Sequence, residues 1–258
     1  MIAEERDTTF EKEPALRVEK STTTAAEQFE MIRRAAELIM EPGSVHELRI
    51  PNAGREKTIS GYFDDPAELA RIAADLDATG KYAGIFITLN PCNPALLARC
   101  ANRVLPYAKV TTSDADVSTR RWLLVDCDPV RPSGISSNDE EHGRAISTAC
   151  GIWDDLHGAG WDDPVVCDSG NGCHLLYRID GANNQNATRL IQGVLKAIAT
   201  HCAPEDVDID LTVYNAARIC KLYGTMARKG DSTRVRPHRR SRILEVPPDM
   251  RPMQMEVA

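Results

Sequence analysis

The stretch Trp122-Leu123-Leu124-Val125-Asp126-Cys127-Asp128-Pro129 places two acidic residues, separated by one cysteine, directly after an apolar run. The run predicts a strand over 122–126. Because side chains alternate across a strand, we expect Asp126 and Asp128 on one face and Cys127 on the other. Two carboxylates on one face repel each other unless a cation lies between them, and Mg²⁺ and Mn²⁺ prefer oxygen ligands. The stretch therefore predicts both a strand of the main sheet and a pair of metal ligands.

The chain after this strand alternates helical and strand patterns. The predicted elements are a loop over 129–137, a helix over 139–157 capped by Ser137 or Asn138, strands over 165–168 and 174–179, a helix over 184–201 and a strand over 207–213. The resulting order, β-α-β-β-α-β, is that of the ferredoxin-like or RRM-like arrangement.

The chain before this strand predicts a smaller α/β unit. Its expected elements are a helix over 28–40, strands over 45–50 and 58–62, a helix capped at Asp65 that runs to 76, and a strand over 83–89. The predicted fold class is α+β: an RRM-like catalytic core with a mixed or antiparallel sheet, plus this N-terminal module. The predicted division is a flexible tail over 1–25, the N-terminal α/β module over 26–112, the RRM-like core over 113–246 and a linker or tail over 247–258, with the two modules forming one domain.

Composition places the chain among soluble globular proteins. It has 258 residues, of which 42% are hydrophobic and 27% charged. It contains no apolar run of about 18 residues and no apolar signal segment, so we expect a cytoplasmic protein that does not contact a membrane. None of the eight cysteines forms a CxxC pair, so zinc is not expected.

A third carboxylate comes from the last strand of the core, where Asp208 and Asp210 repeat the acidic pattern. In a β-α-β-β-α-β sheet the first and fourth strands can lie side by side. We therefore expect Asp210 near Asp126 and Asp128, giving three carboxylates for two metal ions. Asp208 is interpreted as a solvated residue at the strand entry.

Groups suited to a triphosphate follow these carboxylates. His174 lies after the glycine-rich turn Ser169-Gly170-Asn171-Gly172, which lets a backbone approach phosphates closely. The basic and polar candidates after Asp210 are Asn215, Arg218, Lys221, Arg228 and Lys229. Residues 218–242 hold nine Lys or Arg and one acid although the chain has a net charge of −7. This segment is either a binding stripe for phosphates or a solvated basic tail.

Paired carboxylates followed by cations are the parts of a nucleotidyl-transfer site. In their order along the chain, these motifs resemble the archaeo-eukaryotic primase superfamily, in particular the primase-polymerase domains of phages, plasmids and CRISPR-associated proteins. The resemblance covers about residues 45–230 and is carried by Ser60-Gly-Tyr-Phe63, Thr88-Leu-Asn-Pro91, Trp122-Leu-Leu-Val-Asp-Cys-Asp-Pro-Val-Arg-Pro-Ser-Gly-Ile-Ser136, Asp168-Ser-Gly-Asn-Gly-Cys-His-Leu-Leu-Tyr-Arg178 and Asp210-Leu-Thr-Val-Tyr-Asn-Ala-Ala-Arg-Ile-Cys-Lys-Leu-Tyr-Gly-Thr-Met-Ala-Arg-Lys-Gly230.

The resemblance implies a role for each matching residue. Asp126, Asp128 and Asp210 would be the catalytic residues and would bind two Mg²⁺ or Mn²⁺ ions. Incoming nucleotide would be held by Ser169, His174, Asn215, Arg218, Lys221 and Lys229. The family motif around the histidine has serine two positions earlier, whereas this chain has Gly172, and Ser169 is the candidate substitute. Arg131 and Ser136 are candidate contacts to nucleotide or template, and Tyr223 is a candidate for sugar discrimination.

The expected function is that of a DNA primase-polymerase, with NTPs or dNTPs as substrates. Its expected partners are single-stranded DNA template and primer, together with a replicative helicase or CRISPR-associated proteins. Three alternatives remain. One is a non-catalytic RRM-like module, disfavoured because such modules bind through exposed aromatic residues and only 5% of this chain is aromatic. The others are a nucleotide cyclase or signal-oligonucleotide synthase on a related fold, and a rolling-circle nickase, which would need a His-x-His pair that this sequence lacks.

Overall fold

The computed structural model describes residues 23–255 and shows an α+β protein built on antiparallel sheets. The helices are α1 (Ala25–Ile39), α2 (Pro66–Ala78), α3 (Asp139–Gly158) and α4 (Gln185–His201). The strands are β1 (His46–Ile50), β2 (Ile59–Phe63), β3 (Phe86–Thr88), β4 (Thr119–Pro129), β5 (Val165–Asp168), β6 (Cys173–Ala182), β7 (Val207–Ile209), β8 (Ile219–Lys221), β9 (Met226–Ala227), β10 (Arg239–Arg240), β11 (Arg242–Glu245) and β12 (Met253–Gln254).

The larger sheet has the order β11-β5-β6-β4-β7, and the neighbours along this order are antiparallel. The expected order of elements, β4-α3-β5-β6-α4-β7, is present. In this sheet β4 lies between β6 and β7, so the first and fourth strands of the β-α-β-β-α-β unit are neighbours. Asp126 therefore faces His174 across one strand pair, and the Asp210 N–H donates to the Asp126 carbonyl at 3.0 Å across the other.

The smaller sheet has the order β2-β1-β3-β8. Its last strand comes from the second half of the chain, because Phe86 of β3 pairs with Lys221 of β8. One continuous hydrophobic core joins the two predicted modules and includes Leu48 and Leu69 of the first and Leu124 of the second. The division at 112 and 113 remains a prediction about sequence units, which share a sheet and a core.

Hydrogen bonds at element ends explain where the boundaries differ from expectation. The first helix begins three residues early because Thr24 and Glu27 form a reciprocal capping box. The last strand of the core ends at Ile209 rather than 213 because the Asp210 carboxylate accepts from the Thr212 N–H at 2.7 Å. That bond turns the chain in the way typical of aspartate.

The ends of the chain are only partly described. Most of the tail predicted over 1–25 lies outside the described residues, although Thr24 and Ala25 already belong to the start of α1. The segment predicted as a linker or tail over 247–258 contains β12, which pairs in parallel with the end of β6. No helix within residues 23–255 is long and apolar enough to cross a membrane.

Candidate active site

A cleft of about 360 Å³ opens beside the acidic end of β4. Asp126 and Asp128 line it, and Cys127 between them is fully buried on the other face of the sheet. The alternation predicted from the sequence therefore matches the observed side-chain positions. Asp128 also pairs with the Arg131 guanidinium at 2.9 Å. The predicted carboxylate pair faces open space that a ligand can enter.

The rest of the cleft lining consists of cationic side chains and of residues from the N-terminal module, here called the N-terminal wall. Lys221, Arg228 and Lys229 line the cleft together with Ser169. The remaining lining residues include Pro51, Asn52, Ala83, Gly84 and Phe86 of the N-terminal module. Three of the predicted nucleotide-binding residues, Ser169, Lys221 and Lys229, thus share a cleft with two predicted metal ligands.

His174 lies behind Asp126 and is held at both ring nitrogens. Its Nε2 is 3.4 Å from Asp126 Oδ1, and its Nδ1 is 2.8 Å from the Tyr223 hydroxyl. His174 is 5% exposed and Tyr223 is fully buried. Burial by itself raises the pKa of Asp126, but the nearby His174, Arg218 and Lys229 outweigh it and hold the pKa below its ordinary value. Tyr223 therefore supports His174 from inside the core, and it is too deeply buried to contact a sugar.

Asp210 is joined to Asp126 through the backbone, but its side chain does not line the cleft. Its Oδ1 accepts from both the N–H and the hydroxyl of Thr212 at 2.7 Å. Among the residues that the structure describes, no group of three His, Cys, Asp or Glu side chains is close enough to hold a metal ion. The expected three-carboxylate cluster is therefore not formed in this conformation, because the turn after β7 engages the third carboxylate.

The glycine-rich turn before His174 fits tightly against β4. A Cβ at Gly172 would lie 2.2 Å from the Cys127 carbonyl oxygen and 3.2 Å from Asp128 Oδ1. This packing explains why the position that the family resemblance would give to serine is glycine here. The Ser169 hydroxyl accepts from the Gly172 N–H at 3.0 Å and lines the cleft, so a hydroxyl is still presented from this turn.

Lys221 lines the cleft but is only 5% exposed. Its Nζ donates to the Met226 carbonyl at 2.7 Å and lies 5.7 Å from the centre of the Phe86 ring. Burial, reinforced by the charges of Arg228 and Arg240, lowers the pKa of Lys221 to about 7, while Asp77 opposes the change. The ammonium group of Lys221 therefore loses its proton near neutral pH in this fold.

Like His174, the predicted nucleotide ligands Arg218 and Asn215 lie outside the cleft lining. The Arg218 guanidinium donates to the Thr212 carbonyl, next to Asp210, and its charge acts on Asp126. The Asn215 amide nitrogen is 3.3 Å from an Asp114 carboxylate oxygen. Arg218 remains a candidate contact near the third carboxylate, whereas Asn215 belongs to a loop contact with the 114–116 turn.

The basic segment 218–242 is neither a free stripe nor a solvated tail. Most of its arginines pair with carboxylates of this chain. The pairs are Arg228–Asp77, Arg236–Glu141, Arg239–Asp139, Arg240–Asp77 and Arg242–Asp168. Ser136 likewise donates to the Lys229 carbonyl at 3.0 Å and is buried. The ion pairs of this segment therefore hold the strands β9, β10 and β11 against the two modules.

Sequence reasoning missed much of the N-terminal wall and the role of Asn171. The Asn171 side-chain oxygen accepts from the Ser137 N–H at 2.9 Å and joins the turn to the loop after β4. Its place in the Ser-Gly-Asn-Gly turn was an available signal. Pro51 and Gly84 carry no such signal, because only the shared sheet brings their loops to the cleft.

Comparison with known proteins gives similarity to solved structures alone. No protein-family model and no curated protein matches the chain. A crystal structure of primase RepB' aligns with 84% of this chain and 56% of its own, so the chain spans a little over half of that protein, at 14% identity and a TM-score of 0.46. The catalytic domain of primase RepB' in complex with initiator DNA aligns over 83% of this chain and 85% of its own, at 13% identity and a TM-score of 0.44.

A third similar structure is the polymerase domain from Mycobacterium tuberculosis Ligase D in complex with DNA. It aligns over 84% of this chain and 81% of its own, at 14% identity and a TM-score of 0.43. The three descriptions name a primase, the catalytic domain of a primase and a polymerase domain.

Proposed function

We propose that this chain is a DNA primase-polymerase, which makes or extends primers on single-stranded DNA by two-metal nucleotidyl transfer on an RRM-like core. The observation that carries the proposal is the cleft in which Asp126 and Asp128 face Lys221, Arg228 and Lys229. Adjacent carboxylates and cations suit a metal-bound triphosphate, because phosphoryl and nucleotidyl transfer depend on positioning and on neutralising charge.

The donor set fits divalent metal ions that prefer oxygen. Asp126 and Asp128 offer carboxylate oxygens on one face, and the Asp210 backbone is fastened to Asp126 by a hydrogen bond. We propose that Asp210 exchanges its Thr212 contacts for metal when the ions bind, which requires rotation of one side chain. Bound at these carboxylates, the metals would activate a primer hydroxyl and stabilise the pyrophosphate leaving group.

The other candidate residues act on the nucleotide or on Asp126. Lys229 is exposed at the cleft and offers a point charge to phosphate, and Ser169 offers a hydroxyl. Arg218 lies near Asp126 and is proposed to reach phosphate by leaving the Thr212 carbonyl. His174 is proposed to position Asp126 and to contact the triphosphate through Nε2. Asn215 is proposed to contact the nucleotide by leaving the Asp114 carboxylate.

The test is a synthesis assay on single-stranded DNA with Mg²⁺ or Mn²⁺ and labelled NTPs or dNTPs, with and without a primer. Asp126→Asn removes one charge with little change of shape and should abolish product. Asp162→Asn makes the same change at an exposed loop position outside the cleft and should leave synthesis intact.

Each pattern of products has a separate meaning. Template-dependent products that disappear in Asp126→Asn support the proposal, and the unprimed reactions show whether the chain initiates. Products formed from nucleotide alone, without template, would identify a cyclase or a signal-oligonucleotide synthase. The absence of product in every reaction, with tight DNA binding by a folded protein, would instead identify a binding module.

A further inference from the structure

An exposed edge of the N-terminal module continues one wall of the cleft. Residues 101–109 run beside β2 and the loop before it. The Leu105 N–H donates to the Ser60 carbonyl at 2.9 Å, and the Tyr107 and Ala108 N–H groups donate to the Glu56 and Thr58 carbonyls, each also at 2.9 Å. The loop over 51–58 begins with Pro51 and Asn52, which line the cleft. One end of this edge therefore shares the cleft lining with Asp126 and Asp128.

Four basic side chains lie on this edge and form no ion pair with a carboxylate of the described residues. Arg55, Lys57, Arg103 and Lys109 are all exposed, and none is in an ion pair in the described part of the chain. This differs from the basic segment 218–242, where most arginines are paired. The acid among them, Glu56, accepts a hydrogen bond from the Tyr82 hydroxyl at 2.6 Å. In a chain of net charge −7, an unpaired cationic edge suits a polyanion.

A large aromatic side chain lies among these cations. Tyr107 is 56% exposed, and its neighbours Leu105 and Val110 are 41% and 61% exposed. Tyr107 and Lys57 both have a φ of +58°, a region that non-glycine residues seldom occupy. Such backbone persists where surrounding structure enforces it and is common at ligand sites. An exposed ring held in this way offers a face on which an unpaired base can stack.

We propose that Arg55, Lys57, Arg103, Tyr107 and Lys109, here called the Tyr107 patch, bind a single-stranded nucleic acid and direct it into the cleft. The inference rests on the proposed function and assigns its template strand to a surface. Single strands are bound through cations that follow the backbone and aromatic rings that stack on bases. A duplex keeps its bases stacked on each other, so Tyr107 favours a single strand.

Binding is measured directly by fluorescence anisotropy with a labelled oligothymidylate of about 16 nucleotides. Tyr107→Ala should weaken binding about fivefold to 150-fold, since base stacking on an aromatic ring is worth about 1–3 kcal/mol. Tyr107→Phe keeps the ring and should bind as the wild type does. Equal thermal midpoints and circular dichroism would show that the variants are folded.

The electrostatic part is tested by salt dependence. The double variant Arg55→Ser, Lys57→Ser should reduce the slope of log affinity against log salt by about 1.4, the value for two phosphate contacts on a single strand. The matched control is Arg189→Ser, Lys196→Ser, which removes two exposed positive charges from α4 and should leave the slope unchanged.

The outcomes separate this inference from the proposed function. Unchanged affinity in both Tyr107→Ala and the Arg55, Lys57 variant would overturn the patch, even if the wild type synthesises DNA. Equal affinity for a duplex of the same length, with the same dependence on Tyr107, would overturn the preference for a single strand. Binding that depends on the Tyr107 patch, in a wild-type protein that makes no product, would support the patch and reject the polymerase.

Discussion

His174 occupies its position because both ring nitrogens have partners, Asp126 on one side and the Tyr223 hydroxyl on the other. The sequence identified the histidine through the turn before it, but it gave no reason to connect Tyr223, 49 residues later, with the same ring. This contact makes Tyr223 a positioning residue for the candidate site. Its contribution can be measured, since the chain contains a second buried tyrosine whose hydroxyl has no such partner.

Tyr223→Phe should lower the free energy of unfolding by about 1–3 kcal/mol, because it leaves the buried His174 Nδ1 without a partner. Tyr177→Phe is the matched control: the Tyr177 hydroxyl is buried and makes no hydrogen bond in the described structure, so its removal should cost little or be stabilising. Urea unfolding of both variants measures the difference. Equal losses in the two variants would contradict the assigned role of Tyr223.

The lowered pKa of Lys221 predicts a pH-dependent stability. In the folded protein this lysine releases its proton at about pH 7, whereas the unfolded chain holds it to about 10.5. Between these values the unfolded state binds more protons, so this group makes stability rise with pH, by up to about 1.4 kcal/mol per pH unit. Below pH 7 the lysine is charged in both the folded and the unfolded state. The cost of burying that charge then lowers the free energy of unfolding by its full amount.

Lys221→Met should therefore be most favourable, relative to wild type, at and below pH 7, and its advantage should shrink as pH rises toward 10. The lost hydrogen bond to the Met226 carbonyl affects both ends of this range alike. Thermal midpoints measured from pH 6 to pH 10 test the trend. A difference between the two proteins that does not vary with pH would show that Lys221 stays protonated in the fold.

At the scale of elements, the turn over 169–172 sets the distance between β6 and the acidic end of β4. Gly172 lies against the Cys127 carbonyl with no room for a side chain, and its N–H is bound by the Ser169 hydroxyl. The turn thus packs a backbone directly beneath the carboxylate pair, and a change there should move Asp128.

Gly172→Ala should cost about 3 kcal/mol or more, because the clash is with main chain and cannot be relieved by a side-chain rotation. It should also reduce synthesis, if synthesis is present, through displacement of β4. Gly193→Ala is the control. That position is in α4 with nothing within 4 Å of the added Cβ, so alanine should stabilise the helix by about 0.5–1 kcal/mol. Equal stability of the Gly172 variant and the wild type would contradict the packing argument.

At the scale of the whole molecule, strand β8 and the residues after it contact the N-terminal module and hold it against the core. Asp77 of α2 is 2% exposed, and it accepts hydrogen bonds from Arg228 at 2.6 Å and from the Met226 N–H at 3.2 Å. Gln28 of α1 donates to the same carboxylate at 2.7 Å. A buried acid with this many partners is costly to separate from them, so the modules should not unfold independently.

The prediction is a single unfolding transition. All three tryptophans, Trp122, Trp153 and Trp161, lie in the predicted core over 113–246. Their fluorescence therefore reports that module, whereas far-ultraviolet circular dichroism reports both modules. The two signals should give the same urea midpoint. Two separate midpoints would show that the N-terminal module is an independent folding unit. Asp77→Ala removes these contacts between the modules. It is therefore the variant in which the two midpoints should separate most readily.

The sequence by itself determined the main elements of this protein and the residues of its candidate chemistry. Long periodic segments such as α3 and α4 and the apolar run before Asp126 are set by local side-chain patterns, which do not depend on distant contacts. The acidic pair, the glycine-rich turn and Lys221 were also visible as residue types in a fixed order along the chain.

Only the tertiary structure decided how these parts meet. Strand β8 joins the N-terminal sheet, and the short strands β9 to β12 have no period long enough to be recognised. The burial of Lys221, the pairing of the basic segment and the turning of Asp210 onto Thr212 all arise from partners remote in sequence or from a local bond that competes with the site. Local sequence patterns determine the helices and strands and the residue types they carry. Long-range packing and charge determine which of those side chains face the cleft.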